Sequence, residues 1–420
     1  MKILLVAYSF PPLNDAQSIR WYYLTKVLAE SGYKIDVLTV KLPYDYDNDF
    51  PIHKNINVYR IFPGFFEYLS HKVKNSFGVY DDKNAKIRQS LGFLTLKNLY
   101  WLFRDWMGKI LPGGIKSEWF PFIYKQIDRL NVDNYSAIIT SQEPLIDSLI
   151  GLLLKKRYGS SIYWIADIGD PMFSGYYPSM KKRVDSYIEK MVLEYADKVI
   201  VTNRSIIAYL VGKYRIKRDK IKVITQGFCK DVVRCDYDDK IEDDRLNLFF
   251  GGTFYDGFRE PYNLFEAVEK VDKVRLTVAG SNEKFVRNFK SDKIDFVGVI
   301  SHSELLRREL ESDILINVSN RQRYQLPGKL FEYLGARKPI LNIVYDNTDE
   351  TVSVVKGLNV GIVCKNEVSD IEKAIKFLLN LKGNYSKYFD FENPLIDDFS
   401  WKRKAEKVVE LLNEKDSNRR

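Results

Sequence analysis

Short unbroken apolar runs alternate along the chain with longer stretches whose apolar residues recur at helical spacing. Ile3 to Tyr8 is the first run, continuous as a parallel strand covered on both faces would be. Pro11 and Pro12 then turn the chain. Asn14 or Asp15 caps a helix carrying Ile19, Tyr22, Tyr23, Val27 and Leu28, and Gly32 ends it. Ile35 to Val40 is the next strand, which completes a βαβ start. The rhythm continues with strands at 137–140, 163–166, 198–202 and 222–225, and helices at 149–158, 187–195 and up to about Tyr214. It halts in the charged stretch from Gln226 to Asp244. It resumes with strands at 246–250, 275–279, 294–297, 313–318, 340–344 and 360–364, and with helices from Tyr262, from Ser303, at 371–381 and from Ser400. Alternation on both sides of an irregular segment predicts an α/β protein with two doubly wound domains, 1–225 and 245–398. Residues 226–244 read as their linker and 399–420 as a final amphipathic helix. A length of 420 residues suits two domains.

Composition narrows the partners. There are 65 Lys and Arg against 56 Asp and Glu, a net charge of +9. That mixed but basic surface suits nucleotide diphosphates or lipid phosphates and argues against nucleic acid. Cys229, Cys235 and Cys364 form neither a disulfide framework nor a zinc pattern. The first apolar run is cut by prolines and reads as a strand, not a signal peptide, and no run approaches the length of a membrane span. The expected location is cytoplasmic, with peripheral contact to the inner face of a membrane left open. That option comes from residues 62–122, where Phe65, Phe66, Phe77, Phe93, Tyr100, Trp101, Phe103, Trp106 and Trp119 interleave with Lys72, Lys74, Lys83, Lys86, Arg88, Lys97, Arg104 and Lys109. Such a segment reads either as a membrane-interface insertion or as one packed on the core with solvated lysines.

The candidate chemistry centres on Arg321 to Ile343. Pro327 and Gly328 break the chain, Lys329 to Leu334 is helical, and Gly335 is placed to end the helix. A helix start opened by Gly is a ready anion site, to which Lys329 adds a mobile charge. Glu332, one turn in, can accept two hydrogen bonds of the kind a ribose diol offers. Together these make a nucleotide-sugar clamp; the alternative is an ordinary loop-to-helix junction with a solvated Glu. Gly251, Gly252 and Thr253 follow strand 246–250, where backbone N–H groups can approach phosphate closely, and Arg259 can pair with it bidentately. His302 is expected to cap its helix or face solvent. In the first half, the helix that carries Arg20 starts at a strand's carboxyl end, where α/β folds bind ligands, which makes Arg20 a candidate ligand contact; the alternative is a surface helix arginine. Asp167 and Asp170 close another strand at its carboxyl end and are candidate binders of an acceptor hydroxyl; the alternative for Asp170 is a turn residue before Pro171, and Asp147 reads as structural. The Asp45/Asp47 and Asp236/Asp238 pairs sit in polar loops and read as solvated rather than metal-binding.

The segment P-G-K-L-F-E-Y-L-G-A-R-K-P-I-L, residues 327–341, is similar to the donor-binding segment of retaining GT-B glycosyltransferases of family four. The resemblance implies two Rossmann-like domains facing a central cleft, with the last helix packing back on the first domain. It puts Glu332 on the donor ribose and Gly328, Lys329 and Leu330 at the donor's edge. Tyr324 stands where many members carry a second glutamate near the transferred sugar. F-F-G-G-T-F-Y-D-G-F-R-E-P resembles the family's first loop of the second domain, which implies Arg259 and the Gly252–Thr253 backbone on the diphosphate. Lys329 or Arg323 stands in for a customary lysine missing there, and the backbone near Val299 would hold the base. F-P-P-L-N-D-A-Q-S-I-R resembles the acceptor-facing first loop, with Asn14 and Asp15 in place of glycines and with Ser18 and Arg20 matching a common variant. The region S-Q-E-P-L-I-D-S-L through W-I-A-D-I-G-D-P resembles a subset with polyprenol-linked acceptors, but Ser148 replaces a histidine and Gly169 an arginine.

The implied activity is transfer of a sugar from a nucleotide-sugar donor to a hydroxyl of a polyprenol-linked glycan in cell-surface polysaccharide synthesis. Configuration would be retained, the leaving phosphate would take the proton, and no metal or other cofactor would be needed. Two other readings stay open: a sugar-nucleotide epimerase on the same fold, and a catalytically degenerate GT-B-shaped partner protein. Tyr324, Ser148 and Gly169 favour the last; Glu332 and Lys329 oppose it.

Overall fold

The strands of the first half are β1 (Lys2–Val6), β2 (Lys34–Val40), β3 (Ile56–Ile61), β4 (Ala137–Ser141), β5 (Trp164–Ile168), β6 (Lys198–Val201) and β7 (Ile221–Val223). They pair in parallel in the order β3-β2-β1-β4-β5-β6-β7. These elements come from a computed structural model that describes residues 1–43, 49–76, 102, 104, 106–172, 179–229, 244–289, 291–322 and 324–417. The chain divides into two compact units: Met1–Thr202, Ile206–Val223 and Val408–Arg420 in one, Asn203–Ser205 and Ile224–Lys407 in the other.

In the first unit the continuous apolar run of β1 is buried along Ile3 to Val6, as a central parallel strand requires. Asp15 caps the helix Ala16–Glu30, its carboxylate accepting the Ser18 N–H at 2.8 Å. Strand β3 is not legible as a strand, because its polar residues have fixed partners. Asn57 Nδ2 donates to Asp36 at 2.9 Å and Arg60 Nη2 to the Pro11 carbonyl at 2.8 Å. The helix Leu145–Tyr158 begins directly after Pro144, earlier than its apolar spacing indicates. Trp119, counted with the aromatic–basic insertion, is fully buried and meets Tyr8 edge-on, ring centroids 5.2 Å apart. Residues 77–101 of that insertion lie outside the described residues, as do Phe103 and the Asp45/Asp47 and Asp236/Asp238 pairs. Among the described residues no helix is long and apolar enough to cross a membrane.

The second unit repeats the plan with β8 (Leu246–Gly251), β9 (Val274–Ala279), β10 (Ile294–Gly298), β11 (Ile314–Val318), β12 (Ile340–Val344) and β13 (Gly361–Lys365), parallel and ordered β10-β9-β8-β11-β12-β13. Side chains alternate between its faces, as strand geometry dictates. Leu246, Leu248, Phe250, Ile314, Ile316, Leu341 and Ile343 pack under the helices Tyr262–Glu269 and Val368–Asn380. Phe249, Leu315 and Ile340 pack under Lys329–Ala336 and Glu350–Leu358. The helix Glu350–Leu358 was not anticipated; its start is polar, with Asp349 accepting the Thr351 N–H at 2.8 Å.

The segment read as a linker begins inside this core. Phe228 is buried, and Trp401 N–H donates to its carbonyl at 2.9 Å; residues 230–243 lie outside the described ones. The final helix, Trp401–Ser417, starts in the second unit and ends in the first. There Tyr163 Oη donates to the Leu411 carbonyl at 2.8 Å, Lys222 pairs with Glu410 at 3.1 Å, and Lys415 Nζ donates to the Ser136 carbonyl at 2.6 Å.

Candidate functional site

In both sheets the strand order reverses at the first strand, between β1 and β4 and between β8 and β11. The carboxyl end at such a reversal is where loops diverge and open sheets take ligands. In the second unit the loop after β8 and the helix after β11 meet there. Gly251 N–H donates to Tyr333 Oη at 2.9 Å, and Arg259 Nε donates to Asn320 Oδ1 at 2.8 Å. The arginine sits beside Gly252: a Cβ there would lie 3.8 Å from Arg259 Nη1. Burial takes this guanidinium out of water and lowers its pKa. The neighbouring loops are stitched together by backbone. Gly252 N–H donates to the Ala279 carbonyl at 2.9 Å and Gly280 N–H to the Gly298 carbonyl at 2.7 Å. Position 280 must be glycine, with φ of +124° and the Gly252 carbonyl oxygen 2.1 Å from where a Cβ would stand. Thr253 is half-buried and Val299 is 51 % exposed at the rim of β10.

The helix Lys329–Ala336 forms as its segment predicts, with corrections at both ends. Gly328 is its N-cap without a side-chain bond, but Leu330 N–H is turned back to the Pro327 carbonyl at 3.3 Å and Phe331 N–H to that of Gly328 at 3.1 Å. The first turn is therefore tighter than an open anion cradle, and the Leu330 side chain is fully buried. Gly335 does not end the helix. Arg337 does, in the left-handed conformation, bonded to the Phe391 carbonyl and to Asp397 at 2.8 Å. Position 335 is glycine because the Phe228 ring lies 2.7 Å from where a Cβ would be.

Lys329 Nζ contacts the Glu332 carboxylate directly and lies 3.9 Å from Glu309 Oε1. Burial would raise Glu332, but Lys329 above all, with His302 and Glu309, holds it below the ordinary carboxylate value. Glu309, on the helix His302–Glu311, is 1 % exposed. Burial, and then the negative Glu332, push it well above its ordinary value. His302 does not face solvent: it is 7 % exposed, and Ser301 is the cap. Sequence reasoning missed Glu309 and Tyr333; their partners lie on other elements, so no local spacing marks them. Tyr324 is half-buried in the loop before this helix, where Asn320 Nδ2 donates to the Gln325 carbonyl at 2.6 Å; Arg323 lies outside the described residues.

The first unit differs more from expectation. Arg20 is not a surface residue. It is fully buried, with Nε 3.0 Å and Nη2 3.2 Å from the Asp167 carboxylate, which also accepts Trp21 Nε1 at 2.9 Å. Guanidinium and carboxylate thus satisfy each other in the core. Ser18 and Ser148 are fully buried, and each Oγ lacks a hydrogen-bond partner among the described residues. Asn14 is exposed and Asp170 half-buried. A side chain at Gly169 would overlap the Gln17 amide, which occupies that space. Asp147 is fully buried and accepts the Tyr8 N–H at 2.7 Å; burial holds its carboxyl well above the usual range. Glu143 was not singled out by the sequence. Neighbouring atoms crowd water from its carboxyl, although the residue keeps an exposed surface, and Asp170 and Asp15 add negative charge; it is pushed up to about 7.

No protein-family model matches the chain, and no curated protein matches it in sequence. Solved structures do. Sucrose-phosphate synthase from Thermosynechococcus elongatus superposes with a TM-score of 0.67 at 16 % identity, over 99 % of this chain and 98 % of that one. Anabaena HepE in complex with UDP gives 0.67 at 12 % identity, over 99 % and 100 %. WaaG, a glycosyltransferase involved in lipopolysaccharide biosynthesis, gives 0.64 at 11 %, over 98 % and 99 %. A putative UDP-N-acetylglucosamine 2-epimerase from Listeria monocytogenes gives 0.57 at 13 %, over 97 % and 94 %. With its two parallel-sheet α/β units, the chain has the GT-B fold.

Proposed function

We propose that this chain is a glycosyltransferase that moves a sugar from a nucleotide-sugar donor to an acceptor hydroxyl, with retention of configuration. The observation that carries the reading is the convergence of Arg259, Gly252, Lys329 and Glu332 where the β8 and β11 loops diverge. Glu332 holds the ribose. Arg259, Lys329 and the Gly252–Thr253 backbone hold the diphosphate, with Gly328 and Leu330 shaping the helix start, Val299 at the base and Tyr324 near the sugar. The cationic groups act chiefly on the charge that builds on the leaving diphosphate as the glycosidic bond breaks, and so lower the barrier rather than only tighten binding. This clamp requires no metal.

The acceptor is taken to be a polyprenol-linked glycan of cell-surface polysaccharide synthesis, bound by the first unit. Asn14, Asp170 and the buried Ser18 and Ser148 are its candidate contacts; Arg20 acts there by fixing Asp167 and the helix start. Glu143, near 7, is the group there best poised to take the acceptor proton at neutral pH. Phe65, Leu69, Leu102, Trp106 and Ile110 are exposed, which supports contact with a lipid surface.

The test is a thermal-shift screen of nucleotide sugars followed by turnover assays, since a bound donor raises the melting point by mass action. Glycosyl transfer or slow donor hydrolysis supports the reading. Donor isomerisation without an acceptor would replace it with the epimerase reading, and absence of both binding and turnover with the degenerate-partner reading.

A further inference from the structure

Glu309 is a carboxyl group that the clamp as described leaves without a task. It is 1 % exposed on the helix His302–Glu311, and its carboxyl lies against that of Glu332 on the next helix, both around the Lys329 ammonium. Two carboxyl groups in that contact, mostly out of water, cannot both ionise without strong repulsion, so one keeps a proton. Lys329 decides which. Its ammonium touches Glu332 and stands 3.9 Å from Glu309 Oε1, beyond hydrogen-bonding distance. That oxygen has no hydrogen-bond donor on it among the described residues. His302 adds its pull on Glu332. Tyr333 also faces Glu309; its burial keeps it neutral, so it gives no counter-charge. The proton therefore resides on Glu309.

We propose that Glu309 is a positioning residue, whose protonated carboxyl donates to Glu332 and fixes that carboxylate for the ribose diol of the nucleotide donor. The inference rests on the nucleotide reading of Glu332. An ionised carboxylate offers about four acceptor sites. Lys329 and Glu309 occupy two, which leaves two for a diol. If Lys329 turns to the diphosphate as the donor arrives, Glu309 remains the fixed partner, so the carboxylate does not swing free when its cation leaves.

The experiment is calorimetric titration of the full chain and of the variants Glu309→Gln and Glu309→Leu with UDP, GDP and ADP, alongside thermal unfolding without ligand from pH 4 to 9. Glutamine keeps a neutral donor, so its affinity stays within about twofold of the parent chain. Leucine keeps the volume without the donor, and affinity falls about tenfold, the worth of one hydrogen bond to a charged group. At pH 7 its melting point stays close to that of the parent chain, because the lost hydrogen bond is offset by removal of a carboxyl that the unfolded chain ionises and the folded chain does not; weaker binding is then not unfolding. The ligand-free signature is separate. Glu309 binds its proton more tightly folded than unfolded, so its contribution is full below about 4.5 and is lost as pH rises toward its raised value. Glu309→Gln removes that loss. Leucine binding as tightly as the parent, glutamine falling as far as leucine, or identical pH dependence of melting overturns the positioning role alone. A parent chain that binds none of the three nucleotides overturns both this role and the clamp.

Discussion

The backbone N–H of Gly251 and the phenol of Tyr333 are joined at 2.9 Å, which ties the end of β8 to the helix that carries Lys329 and Glu332. Tyr333 is buried beside Glu309, and its phenol oxygen takes its hydrogen bond across the strand reversal. The bond fixes the Gly251–Gly252 turn relative to the helix of Glu332, so under the proposed clamp it couples local backbone to ligand geometry.

Replacing Tyr333 by Phe should therefore weaken donor binding. The Gly251 N–H would be left buried and unpaired at a cost of about 1–3 kcal/mol. Chemical denaturation reports that loss, and nucleotide titration should show affinity falling with it. A variant with unchanged stability and affinity would show that the phenol does not align the two loops.

Arg259→Ala should lower kcat by about a hundredfold, because the positive charge works on the departing diphosphate more than on the ground state. Arg259→Lys should recover part of this, since it keeps the charge and loses the fork that also grips Asn320. Steady-state kinetics with the cognate donor separates the cases; a rise in KM with kcat unchanged would limit Arg259 to binding.

Arg20 and Asp167 form a buried pair, and breaking it should be a stability defect of the first unit. Arg20→Ala or Asp167→Ala each leaves an uncompensated charge, for about 3–5 kcal/mol. Urea unfolding measures it, and the double variant should lose less than the sum of the two. An Arg20→Ala variant that is fully stable yet loses acceptor binding would instead make the arginine a direct ligand.

Glu143 should shape the pH profile. A carboxyl pushed up to about 7 becomes a base only above that value, so turnover should rise with pH through about 7 and then level. Glu143→Gln should flatten that limb and reduce turnover. A rising limb that survives in the variant would assign it to another group, the leaving phosphate included.

How much of this was readable beforehand depends on how local each relationship is. The Lys329–Glu332 contact spans one helical turn, so residues 327–341 expose it directly, and the apolar run at 246–250 marks β8 as a strand. For Arg20 the sequence offered a ligand contact or a surface arginine but not its buried ion pair, because only the pairing of β1 with β4 and of β4 with β5 brings Asp167 to it. Glu309 failed to register for the same reason: in R-R-E-L-E it looks like one more surface charge, and its burial comes from the packing of another helix. Strand β3 hid because Asn57 and Arg60 break its apolar pattern while donating to Asp36 and to the Pro11 carbonyl.

The central claim is that Glu332 reads a ribose diol beside a diphosphate held by Arg259 and Lys329. Its most direct measurement compares the affinities of a ribonucleoside diphosphate and its 2′-deoxy counterpart for the parent chain and for Glu332→Ala. The account predicts a preference for the ribonucleotide of about tenfold in the parent chain, one charge-assisted hydrogen bond, and none in the variant. A preference that survives Glu332→Ala, or an affinity that the substitution leaves unchanged, would contradict it.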